Sequence, residues 1–266
     1  MDTVQAYRFS ILPYANAVPL VHFITEVYPA AELLYRTPHL AAGVLSEGVV
    51  DAALIPVADY FCDPNLAMIP GLGICADGDV TSVLLQCRRP LSDVRVIRLD
   101  PESRTSNTLV RVLIRDPFRI TRPIEYSLAA DEADAHVCIG DRAMCATPAM
   151  ETYDLTGEWK RMTGFPFVFA IWAVRRSCPH IEEISGILHR AKDRGCQSLV
   201  ELAGLCAQRL GLPENHCYEY LVDRLHYGVG PAEREGMDLF RGLAASLLKQ
   251  GASHREGQDT PLPGWS

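Results

Sequence analysis

The hydrophobic pattern of this chain consists of short apolar runs, most of them followed by segments with an apolar residue at every third or fourth position. The apolar runs predict β-strands, and the second pattern predicts helices. The predicted strands cover 7–11, 33–36, 50–55, 80–86, 94–99, 135–139 and 167–174. The predicted helices cover 38–47, short segments from 58 and from 140, 106–115, 180–194, 197–210, 214–226 and 231–249. Strands that alternate with helices are typical of parallel α/β proteins.

Two segments of the chain, GVVDAALIPVADYF (48–61) and EADAHVCIGDRAM (132–144), share one plan. Each has an acidic residue among small or apolar ones, an apolar strand, a turn with Pro or Gly-Asp, and a short helix. One such unit in each half predicts two α/β lobes that face each other across a cleft, where such sheets bind ligands. We expect residues 1–90 and 171–266 to form one lobe, which includes the C-terminal helices, and 91–170 to form the other.

Composition and charge narrow the class of protein. The chain has 266 residues, 48% of them hydrophobic, and has neither an apolar run of membrane-spanning length nor a secretory signal pattern. Its nine cysteines are scattered without a C-x-x-C motif, which indicates a reducing, cytoplasmic environment. A net charge of −8, without a block of basic residues, argues against nucleic acid as a partner. The polar tail 253–266 is predicted to be disordered.

The segment LDPESRTSNTLVRVLI (99–114) joins an apolar strand to an amphipathic helix through an unusually polar turn. Asp100, Ser103, Thr105 and Ser106 are all residue types that cap helices, although one cap needs only one of them. A helix N-terminus also carries free N–H groups and partial positive charge, which suit a carboxylate or phosphate. The turn is therefore either an ordinary cap or an anion site.

Four other polar residues are candidates for function, each with a structural alternative. Asn16 lies in LPYANAVPL (12–20) after the first strand, and could instead form an Asx-turn or a helix cap. Ser82 lies in an apolar strand, and its hydroxyl could instead bond a neighbouring backbone group. Asp141 could simply cap its own helix, and Arg104 could either clamp a carboxylate or face water.

No motif for metal or nucleotide chemistry accompanies these residues. None of the eight histidines falls at a metal-ligand spacing, and G-x-S-x-G, Walker and G-x-G-x-x-G motifs are absent from the sequence. We therefore expect no metal and no cofactor. This pattern fits either a pure binding protein or an enzyme whose substrate contributes much of the chemistry.

The sequence as a whole resembles the chorismate dehydratase family of the futalosine route to menaquinone. The resemblance covers about residues 7–248 and rests on segments in consistent order: ILPYANAVPL, GVLSEGVVDAALIPVADY, GICADGDVTSVLL, LDPESRTSNTLVRVL, ADAHVCIGDRAM, YDLTGEWKRMTGFPFVFAIWAV and YLVDRLHYGVGPAEREGMDLF. It implies a type II periplasmic-binding-protein-like fold that works as an enzyme in the cytoplasm. The sister family, which makes dihydroxynaphthoate, carries a Cys-Pro-Asn-Asp-like motif where this chain has YANAVPL.

The resemblance also implies a substrate and roles for the candidate residues. Chorismate, a dicarboxylate, would lose its C3 proton and C4 hydroxyl to give 3-[(1-carboxyvinyl)oxy]benzoate. Asn16 and Ser82 would bind the C4 hydroxyl as catalytic residues. Substrate binding would fall to Ser103, Thr105, Ser106 and Asp141. The base would be the enolpyruvyl carboxylate of the substrate itself, with Asp141 as the alternative. A non-enzymatic carboxylate-binding protein and the sister synthase are the rival functions.

Overall fold

Two β-sheets organise the part of the chain that the computed structural model describes, residues 5–130, 132–147 and 149–250. The predicted disordered tail 253–266 lies outside the described residues. Among the described residues, no helix combines the length and the apolar character needed to cross a membrane.

The first sheet has six strands, in the spatial order β11-β4-β10-β3-β1-β2. Their bounds are β1 Tyr7–Ile11, β2 Ala31–Tyr35, β3 Ala52–Pro56, β4 Leu66–Ala76, β10 Phe167–Arg175 and β11 Leu225–His226. β1 runs parallel to β2 and β3, whereas β10 is antiparallel to both β3 and β4. The sheet is thus mixed, with antiparallel pairs that the alternation of strands and helices did not predict. The reason is that β10 returns to the first sheet from the second.

The second sheet has five strands, in the order β7-β6-β8-β5-β9. Their bounds are β5 Val83–Cys87, β6 Val96–Arg98, β7 Glu125–Ser127, β8 Ala135–Ile139 and β9 Glu151–Asp154. Here β6 is parallel to β7 and β8, and β5 is antiparallel to β8 and β9. We call the parts of the chain that carry the two sheets the first lobe and the second lobe.

Sheet membership corrects the predicted lobe boundaries near 90 and 171. β5 pairs in the second sheet and all of β10 pairs in the first, so the chain crosses between the lobes at 77–82 and at 155–166. β5 also begins later than the predicted residue 80. The backbone N–H groups of Val80 and Thr81 donate to Asp154, and Thr81 has φ +62°, which breaks the strand there.

Most predicted helices are present with small shifts at their ends. The helices are α1 Val18–Val21, α2 Ile24–Val27, α3 Pro38–Ser46, α4 Val57–Cys62, α5 Arg104–Arg115, α6 Gly140–Met144, α7 Leu155–Thr163, α8 Ile181–Gln197, α9 Leu199–Leu210, α10 Glu214–Tyr218 and α11 Pro231–Gln250. The pattern did not predict α7, which Asp154 caps by accepting from the N–H groups of Thr156 and Gly157. Nor did it predict that 214–226 would change after α10 into a π-helix, Glu219–Arg224, followed by β11.

The two segments with a shared plan do form matching units. β3 leads into α4, and β8 leads into α6. β3 lies between β10 and β1 in the first sheet, and β8 lies between β6 and β5 in the second. Each unit is therefore interior to its sheet, so the turn between strand and helix lies where the two lobes can meet.

Aromatic side chains fill the core on which the first lobe is built. Phe9 packs edge-to-face on Trp172, and both are fully buried. Trp159 of α7 packs edge-to-face on Phe167 of β10 and on Phe240 of α11, so the second crossing between the lobes is anchored to the C-terminal helix. Such aromatic pairs contribute about 0.5–1.5 kcal/mol each beyond the area that they bury.

Candidate active site

A small cavity of about 50 Å³ lies between the two lobes, where β1, β3, β5 and β8 end or begin. Its wall is mostly apolar and includes Leu12 and Phe169 of the first lobe and Val83 and Ile139 of the second. Its polar side chains are Tyr14, Asn16, Ser103, Thr105 and Ser106. The cavity thus brings together four of the six predicted site residues from both lobes, whereas Ser82 and Asp141 lie next to residues that line it.

Asn16 lies in a 3₁₀ turn, Ala15–Ala17, that follows β1. Neither this turn nor α1 after it is capped by a side chain, so Asn16 does not serve as a helix cap. Its Oδ1 atom is buried and has no hydrogen-bond partner among the described residues. A buried acceptor of this kind costs about 1–3 kcal/mol unless a partner is supplied. Asn16 therefore presents an unused hydrogen-bond acceptor in the wall of the cavity.

Ser82 lies just before β5, and only 1% of it is exposed. Its carbonyl oxygen accepts from the N–H of Gly140 at 2.8 Å, which ties the β5 start to the α6 start. The structural alternative required a bond from its hydroxyl to a neighbouring backbone group, and the structure shows none among the described residues. Instead, Ser82 Oγ accepts from the hydroxyl of Tyr220 at 2.8 Å. Gly140 thus holds the backbone of Ser82, and Tyr220 holds its hydroxyl oxygen.

The polar turn before α5 uses its hydroxyl groups within the protein. Ser103 is the N-cap, and its Oγ accepts from the N–H of Ser106 at 3.1 Å and donates to Ser106 Oγ at 2.9 Å. Thr105 Oγ1 accepts from the N–H of Ala58 at 3.2 Å, a bond that joins α5 to α4 across the cleft. Three hydroxyls therefore line the cavity in fixed positions at a helix N-terminus.

The acidic residues of the same turn are held by their own partners. Asp100 is buried, accepts from the N–H of Glu102 at 2.9 Å and pairs with Arg142 at 3.0 Å. Burial raises the pKa of the Asp100 carboxyl, and the Arg142 charge opposes that shift. Asn107 bonds both the backbone N–H and the carbonyl oxygen of Asp100. Asp100 therefore shapes the turn and leaves the hydroxyls to face the cavity.

A polar cluster joins the lobes beside the cavity. The hydroxyl of Tyr14 donates to Glu102, and Arg142 pairs with Glu102 at 3.2 Å. Burial and the bond to Glu102 raise the pKa of the Tyr14 hydroxyl, so it remains a donor at neutral pH. Gly140 has φ +58°, and the Tyr14 ring lies 3.4 Å from where its Cβ would be. A larger residue at 140 would be strained there.

Asp141 neither caps α6 nor lines the cavity. The N-cap of α6 is Ile139, and Asp141 Oδ1 accepts from the N–H of Ala15 at 3.0 Å, across the cleft. Burial raises the pKa of Asp141, while the Ala15 N–H and the charge of Arg209 lower it. In this geometry Asp141 holds the turn that carries Asn16. Its contact with a substrate stays a prediction.

Arg104 is neither a free clamp nor a solvent-facing residue. Its guanidinium pairs with Asp59 of α4 at 3.2 Å, again across the cleft. Together with the bonds of Thr105 and Asp141, this ion pair holds the two lobes against each other.

Tyr14 and Tyr220 are the neighbours of the site that the sequence did not single out. Tyr14 lies two residues before Asn16 in LPYANAVPL, and Tyr220 lies in the segment 214–226, which the pattern predicts to be an ordinary helix. The available signal is general: a tyrosine that is buried needs a partner for its hydroxyl. That signal does not say which partner, because Tyr220 and Ser82 are 138 residues apart.

A larger crevice of about 810 Å³ lies at the crossings between the lobes. Charged side chains line it, and they pair with one another: Lys160 with Asp77, and Arg161 with Asp79 at 3.4 Å. It contains none of the predicted site residues. In the described part of the chain, no three His, Cys, Asp or Glu side chains are grouped as metal ligands would be. The expected independence from metal and cofactor stays a prediction.

Comparison with known proteins identifies the family. Residues 7–246 match the model of a family described as menaquinone biosynthesis, and the chain belongs to that family. The chain is similar to the chorismate dehydratase of Thermus thermophilus, with 28% identity over 261 residues, which are 89% of this chain and 94% of the relative.

Solved structures confirm the fold. Protein AF1704 from Archaeoglobus fulgidus superposes with a TM-score of 0.71 at 14% identity, covering 91% of this chain and 97% of that one. The periplasmic aliphatic sulphonate binding protein SsuA from Escherichia coli superposes with a TM-score of 0.62 at 14% identity, covering 93% of each chain. The chain therefore has a two-lobed periplasmic-binding-protein-like fold with a helical C-terminal region, as predicted.

Proposed function

We propose that this member of the menaquinone biosynthesis family is a chorismate dehydratase, a hydro-lyase that converts chorismate into 3-[(1-carboxyvinyl)oxy]benzoate in the futalosine route. One observation carries the proposal: in a chain similar to a chorismate dehydratase over most of its length, Oδ1 of Asn16 lacks a partner among the described residues and shares a cavity with the hydroxyl-lined N-terminus of α5. The nine cysteines are all free thiols, which supports a cytoplasmic location.

The N-terminus of α5 is the proposed binding site for a substrate carboxylate. Ser103, Thr105 and Ser106 are buried in the cavity wall. The hydroxyls of Thr105 and Ser106 can donate to an anion while they accept from Ala58 N–H and Ser103 Oγ, whereas the Ser103 proton is already donated to Ser106. The first-turn N–H groups and the helix dipole add positive potential at the same place. Each charge-assisted hydrogen bond is worth about 1.5–3 kcal/mol. This local set offsets the negative charge of the whole protein.

Asn16 and Ser82 are the proposed contacts of the leaving group. Asn16 Oδ1 accepts the hydrogen of the C4 hydroxyl, and the Ser82 hydroxyl donates to its oxygen. As the C3–H bond breaks, its electrons spread towards the ring carboxylate, and they then form the new ring double bond as the C4–O bond breaks. The departing hydroxide gains the proton removed from C3 and leaves as water. A donor that binds the leaving oxygen more strongly as negative charge develops lowers the barrier.

The base is the enolpyruvyl carboxylate of the substrate itself. Asp141, the alternative, accepts from Ala15 N–H and lies outside the cavity wall, which argues against direct proton transfer. A carboxylate is a weak base for carbon, but enforced proximity to the C3 proton compensates for several kcal/mol of the barrier. Loss of that proton gives a dienolate whose charge spreads onto the ring carboxylate, where α5 provides donors.

Substrate entry requires the lobes to separate. Cavities that hold a small molecule are usually about 300–1,000 Å³, far larger than this one. Opening would break the cross-cleft bonds of Arg104, Thr105 and Asp141, and closure over the substrate would restore them. Closure would also exclude water from the elimination.

The test is direct incubation of the purified protein with chorismate, without added metal or nucleotide. We expect loss of the diene absorbance together with formation of the benzoate product, identified by mass spectrometry. The same assay after exhaustive chelation should give the same rate; a loss that only a metal restores would contradict the cofactor-free reaction. Recovery of bound chorismate unchanged would indicate a non-enzymatic binding protein. Failure to bind chorismate would direct attention to the sister synthase.

A further inference from the structure

Tyr220 lies inside the molecule behind Ser82, on the π-helix Glu219–Arg224. Its side chain is 1% exposed. π-helical turns inside helices frequently occur at functional sites, because the extra residue redirects side chains. Here Tyr220 is directed towards the crossing at 77–82, and its hydroxyl meets Ser82 Oγ at 2.8 Å. A segment of the C-terminal helical region thus contacts the residue that precedes β5.

The Tyr220 hydroxyl donates to Ser82 Oγ. Burial raises the pKa of Tyr220, and the neighbouring side chains of Ser82 and Asn16 oppose that shift, so the hydroxyl stays protonated. Tyr220 is thus bonded directly to Ser82 and lies beside Asn16.

The Tyr220–Ser82 bond determines which atom of Ser82 remains for a substrate. Asn16 Oδ1, which has no partner among the described residues, also remains for a substrate in the cavity wall. The acceptor side of Ser82 Oγ is engaged by the Tyr220 proton, which leaves the Ser82 proton for another oxygen. The backbone of Ser82 is fixed separately, by Gly140 N–H on its carbonyl oxygen and by Asp154 on the two preceding N–H groups. A serine hydroxyl otherwise rotates among several acceptors.

We propose that Tyr220 is a positioning residue for the dehydration, which acts by orienting Ser82 beside Asn16 and does not touch the substrate. This inference rests on the proposed function. By fixing the Ser82 hydroxyl, Tyr220 places a donor beside the acceptor Asn16 Oδ1, and both face the C4 hydroxyl. It needs no proton transfer of its own.

The first test compares Tyr220→Phe with a matched control, Tyr227→Phe. Tyr227 is also buried, but its hydroxyl donates to the carbonyl oxygen of Leu221 at 3.4 Å and does not reach Ser82. We expect Tyr220→Phe to lower kcat by about 10-fold to 30-fold with KM within about threefold, since a transition-state contact is weakened. Tyr227→Phe should keep kcat within about twofold. Both are assayed at least 15 °C below their measured Tm.

A double-mutant cycle separates positioning from general packing. If Tyr220 acts through Ser82, adding Tyr220→Phe to the Ser82→Ala variant should lower kcat by less than about twofold relative to Ser82→Ala alone. If its effect is structural, the same 10-fold to 30-fold loss should recur in that background. Equal losses in both backgrounds would overturn the inference.

A third variant keeps the inference testable if Tyr220→Phe does not fold. Incorporation of 3,5-difluorotyrosine at position 220 preserves the shape and the hydroxyl but makes it a stronger donor. Stronger donation polarises the Ser82 O–H, so kcat should rise about twofold at unchanged KM and Tm. An unchanged kcat would overturn the proposal. A wild-type protein that does not consume chorismate overturns the proposed function and this inference together, whereas an active wild type with an unimpaired Tyr220→Phe variant overturns the inference alone.

Discussion

Two strand-to-helix junctions face each other across the cavity: the first junction is the turn after β1, and the second junction is the turn before α5. They differ in whether their polar side chains have hydrogen-bond partners. In the first lobe, the turn after β1 leaves Oδ1 of Asn16 buried without a partner among the described residues. In the second lobe, the turn before α5 gives each of its three hydroxyls a partner: Ser103 with Ser106, and Thr105 with Ala58. The sequence left each turn open as either an ordinary cap or a site, and it drew attention to the second turn, which has more capping residues than one cap needs.

This difference indicates a division of labour. A buried acceptor without a partner costs stability, so its retention at Asn16 is best explained by a substrate group that completes it. Hydroxyls that already have partners are fixed in place and need no reorganisation when an anion arrives. We infer that the first junction contacts the reacting edge of the substrate and the second holds its carboxylate.

The two junctions are also held in a crossed arrangement. Ala58, at the start of α4 in the first lobe, donates to Thr105 in the second. Asp141, at the start of α6 in the second lobe, accepts from Ala15 in the first. Each strand–helix unit of the shared plan therefore supports the junction of the opposite lobe. Closure of the cleft aligns both junctions at once.

The largest expected effect is at Ser82, on the reactive side. Ser82→Ala should lower kcat by about 100-fold to 1,000-fold, the usual cost of removing one donor to a developing negative charge. KM should change far less. Ser10→Ala is the matched control, because Ser10 is a fully buried serine of β1 whose Oγ has no partner among the described residues. Steady-state kinetics on chorismate decides: a kcat within twofold of wild type would return Ser82 to a structural role.

The two asparagines sharpen the comparison between junctions. Asn16→Ala should lower kcat/KM by about 10-fold to 100-fold through the lost contact with the C4 hydroxyl. Its Tm should change little, because no described residue bonds the removed acceptor. Asn107→Ala removes two bonds to the Asp100 backbone and should lower Tm instead. A Tm loss at Asn16 as large as that at Asn107 would contradict the division of labour.

The hydroxyls of the second junction should affect binding and stability separately. Ser106→Ala leaves the Ser103 cap in place, so KM should rise about 10-fold while Tm stays nearly constant. Ser103→Ala removes the cap and should cost about 1 kcal/mol of stability. Thr105→Ala should do both, since its Oγ1 also accepts from Ala58. Intact affinity in all three variants, together with lowered Tm, would reduce the turn to an ordinary helix cap.

The smallest effect concerns the pH dependence of stability at Asp141. Burial raises its folded pKa above the ordinary value, so the folded state binds the proton more tightly than the unfolded state does. Its contribution to the free energy of unfolding is therefore greatest below the unfolded pKa and falls as pH rises through the folded pKa. Asp141→Asn keeps an acceptor for Ala15 and should remove this part of the slope. Chemical denaturation of both proteins across acidic to neutral pH measures it; parallel curves would refute the assignment.

The sequence by itself determined most of the element types and the shared plan, although not α7, the π-helix or β11. Apolar runs bounded by Pro and Gly located β1, β3, β8 and β10, because burial of an apolar strand dominates over local preferences. The motif ILPYANAVPL located Asn16 after a strand, and the order of this and the other motifs along the chain indicated the family that the sequence resembles. These features depend on neighbours along the chain, so they can be read without the fold.

Only the tertiary structure decided which side chains meet. That β5 pairs with β8 and β9 in the second sheet depends on Asp154, which accepts from Val80 and Thr81 from more than 70 residues away. The partners of Thr105, Asp141 and Ser82 likewise come from the opposite lobe or from the C-terminal helical region. Hydrogen bonds act over about 3 Å and are indifferent to sequence separation. Whether a polar side chain has a hydrogen-bond partner therefore depends on contacts that exist only once the chain has folded.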